Sequence, residues 1–108
     1  MITGTIVLTP FPFAELSNIK VRPAVLVFTT NDKYKDLALC AISSVVPSKV
    51  GTFEILVQPD DTNKLRVPST IKVDRIMTLK KENVIAQLGL LSGPQLTEFR
   101  TKFKRLVD

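Results

Sequence analysis

The chain contains no histidine, a single cysteine and only four glycines, and each of these scarcities removes a class of chemistry. Without histidine the Ser-His-Asp arrangement is excluded, and structural zinc sites and most zinc hydrolase sites cannot be assembled. Cys40 lies in the apolar run Leu37-Ala38-Leu39-Cys40-Ala41-Ile42. With no histidine to activate it and no second cysteine to pair with, it reads as a small buried hydrophobe. Gly4, Gly51, Gly89 and Gly93 are dispersed, so no glycine-rich phosphate loop is present. The acidic residues are scattered as well. Their only adjacent pair, Asp60-Asp61, sits in Gln58-Pro59-Asp60-Asp61-Thr62-Asn63, a composition suited to a turn. No metal site and no cofactor are expected. The longest apolar runs, Ala24–Phe28 and Leu37–Val46, fall far short of the ~20 residues needed to span a bilayer. Met1–Gly4 opens into strand-like sequence with no basic start or cleavage site. A cytoplasmic protein with no membrane partner is expected.

What is present has the make-up of an ordinary globular chain: 108 residues, 44% hydrophobic and 23% charged. That is enough for one domain, 1–108, around one core. Fifteen Lys+Arg against ten Asp+Glu give a net charge of +5, whose field favours approach to a polyanion such as nucleic acid. Such a charge also serves solubility, so the placement of particular cations decides. The most telling placement is Arg22-Pro23 directly before the apolar Ala24-Val25-Leu26-Val27. Proline fixes its own φ and biases the residue before it towards extended geometry, so a guanidinium suited to phosphate leaves the sheet in a defined direction. An Arg-Pro dipeptide also occurs simply as the start of a strand with a solvated charge.

Short β-rich segments separated by turn chemistry fill most of the chain. Strands are expected at Thr5–Thr9, Pro23–Phe28, Leu37–Ser43 and Thr52–Val57, with one or two more in Ser69–Leu79, bent near Asp74. Pro10 to Val21, containing Ser17-Asn18, reads as a long loop and as the working surface; Pro59–Leu65 reads as a turn-rich link. All seven prolines fall at strand ends, in loops or at the last helix start on this reading. Val84–Leu90 suits a strand, alone or after a helical turn. The final segment is helical: Ser92 and Gln95 form a capping box, Leu91 and Leu96 occupy the staple positions, and Leu96, Phe99, Phe103, Leu106 and Val107 recur on one face. Arg100, Lys102, Lys104 and Arg105 read as its solvated side, where cations favour the helix C-terminus.

In order along the chain stand Gly4-x-Ile6-Val7, Phe11-Pro12-Phe13, Arg22-Pro23-Ala24-Val25, Ala41-Ile42-Ser43-Ser44, Val73-Asp74-Arg75-Ile76-Met77-Thr78-Leu79 and Leu88-Gly89-Leu90-Leu91. This succession resembles the MazF/PemK family of toxin endoribonucleases across essentially the whole chain. The resemblance implies a mainly β fold, an SH3-like barrel of curved antiparallel strands with a C-terminal helix. It implies a homodimer, sequence-selective and metal-independent cleavage of single-stranded RNA, and inhibition by a cognate antitoxin. The family's catalytic arginine and threonine map onto Arg22 and Ser43, where serine retains the hydroxyl and loses the methyl. RNA-binding positions are expected at Lys20, Pro23, Ser44, Asp74 and Arg75. An aspartate at a strand bend also serves local backbone donors, so Asp74 has a structural use too. Thr5 and Met77 depart from positions where the family often carries an acidic and a basic residue. The related CcdB group of toxins uses the same fold to bind DNA gyrase without cutting, which leaves a non-catalytic binder as the alternative.

Overall fold

The computed structural model describes residues 1–12 and 19–108. Phe13 and the Ser17-Asn18 part of the expected working loop lie outside the described residues. Six strands, β1 (Thr5–Pro12), β2 (Ile19–Thr29), β3 (Leu37–Ser43), β4 (Glu54–Val57), β5 (Ser69–Leu79) and β6 (Ala86–Leu90), form one antiparallel sheet in the order β4-β5-β3-β2-β1-β6. Among the described residues one α-helix, α1 (Gly93–Lys104), follows, and together they make a mainly β, curled half-barrel with a C-terminal helix.

Two side-chain clusters explain why the central strands read as continuous apolar runs. In β2, Val25 and Val27 belong to a cluster with Ile6, Cys40, Ile42, Ile55, Ile71, Val73 and Phe99, whereas Ala24 and Leu26 join Val7, Leu37 and Leu39. Successive residues of a strand point to opposite faces, so a strand packed on both sides has no polar face to alternate with. Helix α1 covers the first cluster. Gln95 Oε1 accepts the Ser92 N–H at 3.0 Å in the capping box, and Phe99 is the buried ring of the helix, 6.1 Å from the partly buried Phe103. Two expectations for this helix need correction. Val107 is 89% exposed, because the chain tightens into a 3₁₀ turn at Arg105–Val107 and leaves the apolar stripe. Lys102 is not a solvated charge but donates to the Glu54 carbonyl oxygen at 2.8 Å and tethers the helix to β4.

The segment Pro10 to Val21 is not one long loop. Pro10 pairs with Val21, Phe11 with Lys20 and Pro12 with Ile19, so two prolines lie inside β1 and Pro23 inside β2. β6 pairs with β1 only from Thr5 to Leu8. Beyond Leu8 the outer side of β1 has no strand beside it among the described residues, and proline is tolerated on such an edge because no ladder donor is lost. The bend near Asp74 is a register jump: Cys40 pairs with Ile76 but Ala41 with Lys72, which pushes Val73, Asp74 and Arg75 out of the ladder. Val73 turns inward, and its carbonyl accepts the Cys40 S–H at 3.3 Å. Burial, with the Asp74 carboxylate adding to it, pushes the Cys40 thiol up to about 12, so it stays protonated and unreactive at neutral pH.

The sheet curls until the link after β4 meets β6 at the opposite edge. Leu90 N–H donates to the Thr62 carbonyl oxygen at 3.0 Å. A Cβ added at Gly89 would stand 2.3 Å from that oxygen and 2.8 Å from the Asn63 carbonyl carbon, and backbone atoms cannot swing aside. Gly89→Ala is therefore expected to destabilise the fold by about 1–3 kcal/mol or more, the scale of overpacking. Thermal denaturation checks this, and an unchanged midpoint would contradict the close approach.

Candidate nucleic-acid interface

The β2–β3 ladder begins at Ala24↔Ala41, immediately after Pro23, whose ring supplies no N–H to extend it. At that end of the sheet lies a cleft of about 420 Å³. Its walls include Leu8, Val21, Pro23, Ile42, Leu65 and Leu88, and it is bordered by Lys20, Arg22, Lys64 and Arg66 with the hydroxyl residues Ser44 and Ser69. Among the described residues lining it, four are cationic and none is acidic. The potential inside therefore favours an anion with an apolar portion, which describes a nucleotide.

Four of the seven expected site residues, Lys20, Arg22, Pro23 and Ser44, meet in this cleft. Arg22 is half-buried with its Nε enclosed, opposite Thr9 in the β1–β2 ladder, so its guanidinium is held by the sheet while the neighbouring Lys20 is exposed. Ser43 is not among the described residues lining the cleft. Continuing the Ala24↔Ala41 register past the end of the ladder sets it opposite Arg22. Its Oγ accepts the Val45 N–H at 3.1 Å, which orients the hydroxyl and leaves its own proton for donation.

Asp74 and Arg75 lie elsewhere. They line a separate cleft of about 290 Å³ with Gly51, Thr52, Phe53, Glu54 and Lys72. There Glu54 pairs with Lys72 and accepts the Gly51 N–H at 2.7 Å; these two hydrogen bonds, the Lys72 one foremost, hold its carboxyl below the usual range. Among the described residues, no group of three or more His, Cys, Asp or Glu side chains is placed to hold a metal ion. Among the described residues, too, no helix is long and apolar enough to cross a membrane.

Lys64 and Arg66 line the candidate cleft but are not among the residues expected there from sequence. Lys64 lies in the turn-rich link Pro59–Leu65 and Arg66 just beyond it; the signal is a cation on either side of Leu65 following a run of turn formers.

The family model for the PemK-like, MazF-like toxin of type II toxin-antitoxin system matches residues 3–107. The chain belongs to this family. No curated protein sequence matches it at a significant level. Among solved structures, the MazF-type fold recurs in a MazE-MazF complex from Deinococcus radiodurans, with a TM-score of 0.72 and 20% identity over 97% of this chain and 93% of that one. An endoribonuclease in complex with its cognate antitoxin, from Mycobacterial species, is similar at TM-score 0.72 and 14% identity over 99% and 94% of the two chains. The Mycobacterium tuberculosis toxin MazF-mt6 gives 0.64 and 17% over 94% and 96%. At these identities the likeness concerns the fold, and it spans nearly the full length of each of the three matched chains.

Proposed function

We propose that this family member is a toxin endoribonuclease that cuts single-stranded RNA at selected sequences without a metal ion and is neutralised by a cognate antitoxin. The observation that carries the reading is the cleft at the end of β2, where Arg22 and three further cations border an apolar floor. Family membership and the similarity to proteins described as endoribonucleases, one of them bound to its antitoxin, support the same activity.

The chemistry follows from the substrate. In RNA the 2′-hydroxyl is adjacent to the phosphate, so the 2′-oxygen forms a bond to phosphorus as the bond from phosphorus to the 5′-oxygen breaks. The 2′-hydroxyl loses a proton and the departing 5′-oxygen gains one, leaving a 2′,3′-cyclic phosphate and a 5′-hydroxyl. Negative charge builds on the non-bridging oxygens between these two events. The Arg22 guanidinium stabilises that charge, and the oriented Ser43 hydroxyl donates to it. Lys20 contacts phosphate, Pro23 shapes the cleft beside Arg22, and Ser44 supplies a hydroxyl at its edge. Asp74 and Arg75, on their own cleft, contact the strand further along. A homodimer would join two basic clefts into a longer track for RNA, in keeping with the family.

The test is to incubate purified protein with a long RNA in excess EDTA and map the ends by primer extension. Discrete cuts sharing a short sequence are expected. A folded protein that cuts no RNA would overturn the reading and favour a gyrase-type or purely binding toxin.

A further inference from the structure

We infer that the turn around Asn63 forms the second phosphate-holding wall of the cleft, with Lys64 and Arg66 gripping the backbone of single-stranded RNA across from Lys20 and Arg22. This rests on the reading of the cleft as an RNA site and adds to it two residues and a device that places them.

The device begins with a fully buried polar side chain. Asn63 Oδ1 accepts the Asp60 N–H at 3.0 Å and the Leu65 N–H at 2.9 Å, while its Nδ2 donates to the Gln58 carbonyl oxygen at 2.9 Å. Asp60 Oδ1 accepts the N–H groups of Thr62 and Asn63. Both the oxygen and the nitrogen of the Asn63 amide are thus engaged in fixing the turn, in keeping with the rule that buried polar groups are hydrogen-bonded. From outside, β6 clamps it through the Leu90 hydrogen bond and the close approach of Gly89. Lys64 consequently takes the left-handed conformation, φ 59°. Leu65 is drawn into the core, and the cations on either side of it are left exposed on the cleft rim.

Two lysines or arginines on a mobile loop tip would need no explanation beyond solubility. Here their backbone is fixed before any ligand arrives, so less ordering remains to oppose binding. The lining combines cations from two separate segments, β2 and the Asn63 turn, with apolar side chains, which fits a strand whose phosphates meet the cations while a base lies against the apolar lining. Phosphate contacts of this kind position the strand, and their signature is salt dependence.

The test uses a short mixed-sequence single strand carrying 2′-O-methyl on every ribose, which 2′-hydroxyl attack cannot cut. Affinity is measured by fluorescence anisotropy across a salt series for wild type, for K64G/R66Q and for the charge-matched control K81Q/K104Q. Glycine suits the left-handed position, so K64G removes the cation while leaving the turn unstrained. The expected result is a log–log salt slope shallower by about 1.4 for K64G/R66Q, about 0.7 for each lost phosphate contact. The control should keep the wild-type slope. Should the double variant fail to fold, R66Q alone is expected to lower the slope by about 0.7. Equal slopes for wild type and K64G/R66Q, or the same loss in the control, would overturn the inference. Loss of binding to a polyglutamate peptide with the RNA slope intact would also overturn it, marking a protein-binding wall instead. Failure of wild type to cut unmodified RNA would defeat the proposed function by a separate readout, while the slope comparison still decides on Lys64 and Arg66.

Discussion

Arg22→Ala is expected to lower the rate of RNA cleavage by at least ~10²-fold while leaving the fold intact, the scale seen when one preorganised donor to a developing negative charge is removed. The effect should fall mainly on kcat, because the charge Arg22 meets is greatest in the transition state. Fold retention is expected because Arg22 lies past the end of the β2–β3 ladder and outside both apolar clusters. Ser43→Ala should reduce the rate by a smaller factor. It removes one neutral donor, and the Val45 N–H that it satisfied is exposed enough to turn to water. Single-turnover kinetics on a short single-stranded RNA, with circular dichroism as the check on folding, measures both. A rate within a few-fold of wild type for Arg22→Ala would remove Arg22 from the chemistry.

The second large effect belongs to the core. Phe99 is 1% exposed and stands among the residues that join α1 to the sheet. Truncating it loses the transfer energy of the ring and leaves a cavity, so Phe99→Ala is expected to cost about 3–5 kcal/mol. Phe103, only partly buried beside it, should cost less. Urea unfolding followed by circular dichroism gives both values, and equal costs would mean that the helix packs in a different rotation. The distinction has a consequence for handling the protein. Typical domains are stable by only 5–15 kcal/mol, so Phe99→Ala removes a large share of what holds the toxin together.

Much of this architecture was legible in the chain. Leu37–Ser43 was placed to the residue because an apolar run bounded by polar residues is what a strand buried on both faces looks like. Ser92 and Gln95 marked the start of α1 because a capping box is local chemistry. The bend at Asp74 was visible too, although its form, three residues pushed from the ladder, depends on the partner strand. The extent of β1 and β2 was hidden by Pro10, Pro12 and Pro23. Proline argues against a strand unless the open edge beside it is known, and that edge is set for Pro10 and Pro12 by where β6 stops pairing with β1, and for Pro23 by where β3 stops pairing with β2.

The site divided in the same way. Arg22 was legible because a cation set against an apolar strand has a direction, and the cleft contains it. Lys64 and Arg66 were not, because their relation to Arg22 arises only when the curl of the sheet brings the Asn63 turn round to β6. Asp74 and Arg75 were expected as RNA-binding positions alongside Lys20 and Pro23, yet the bulge turns them to a cleft shared with Glu54 and Lys72. Sequence order gives the motifs, and long-range strand pairing decides which of them share a surface.

The proposed cleavage depends above all on the 2′-hydroxyl as the attacking group. Once cut sites are mapped, a short single-stranded RNA is prepared with a 2′-deoxy sugar at the nucleotide preceding the cut and all other sugars unchanged. Cleavage at that bond should stop, while the unmodified strand is cut in excess EDTA and leaves a 2′,3′-cyclic phosphate. Continued cutting at the same bond in the deoxy-substituted strand would contradict the 2′-hydroxyl mechanism and, with it, the role assigned to Arg22.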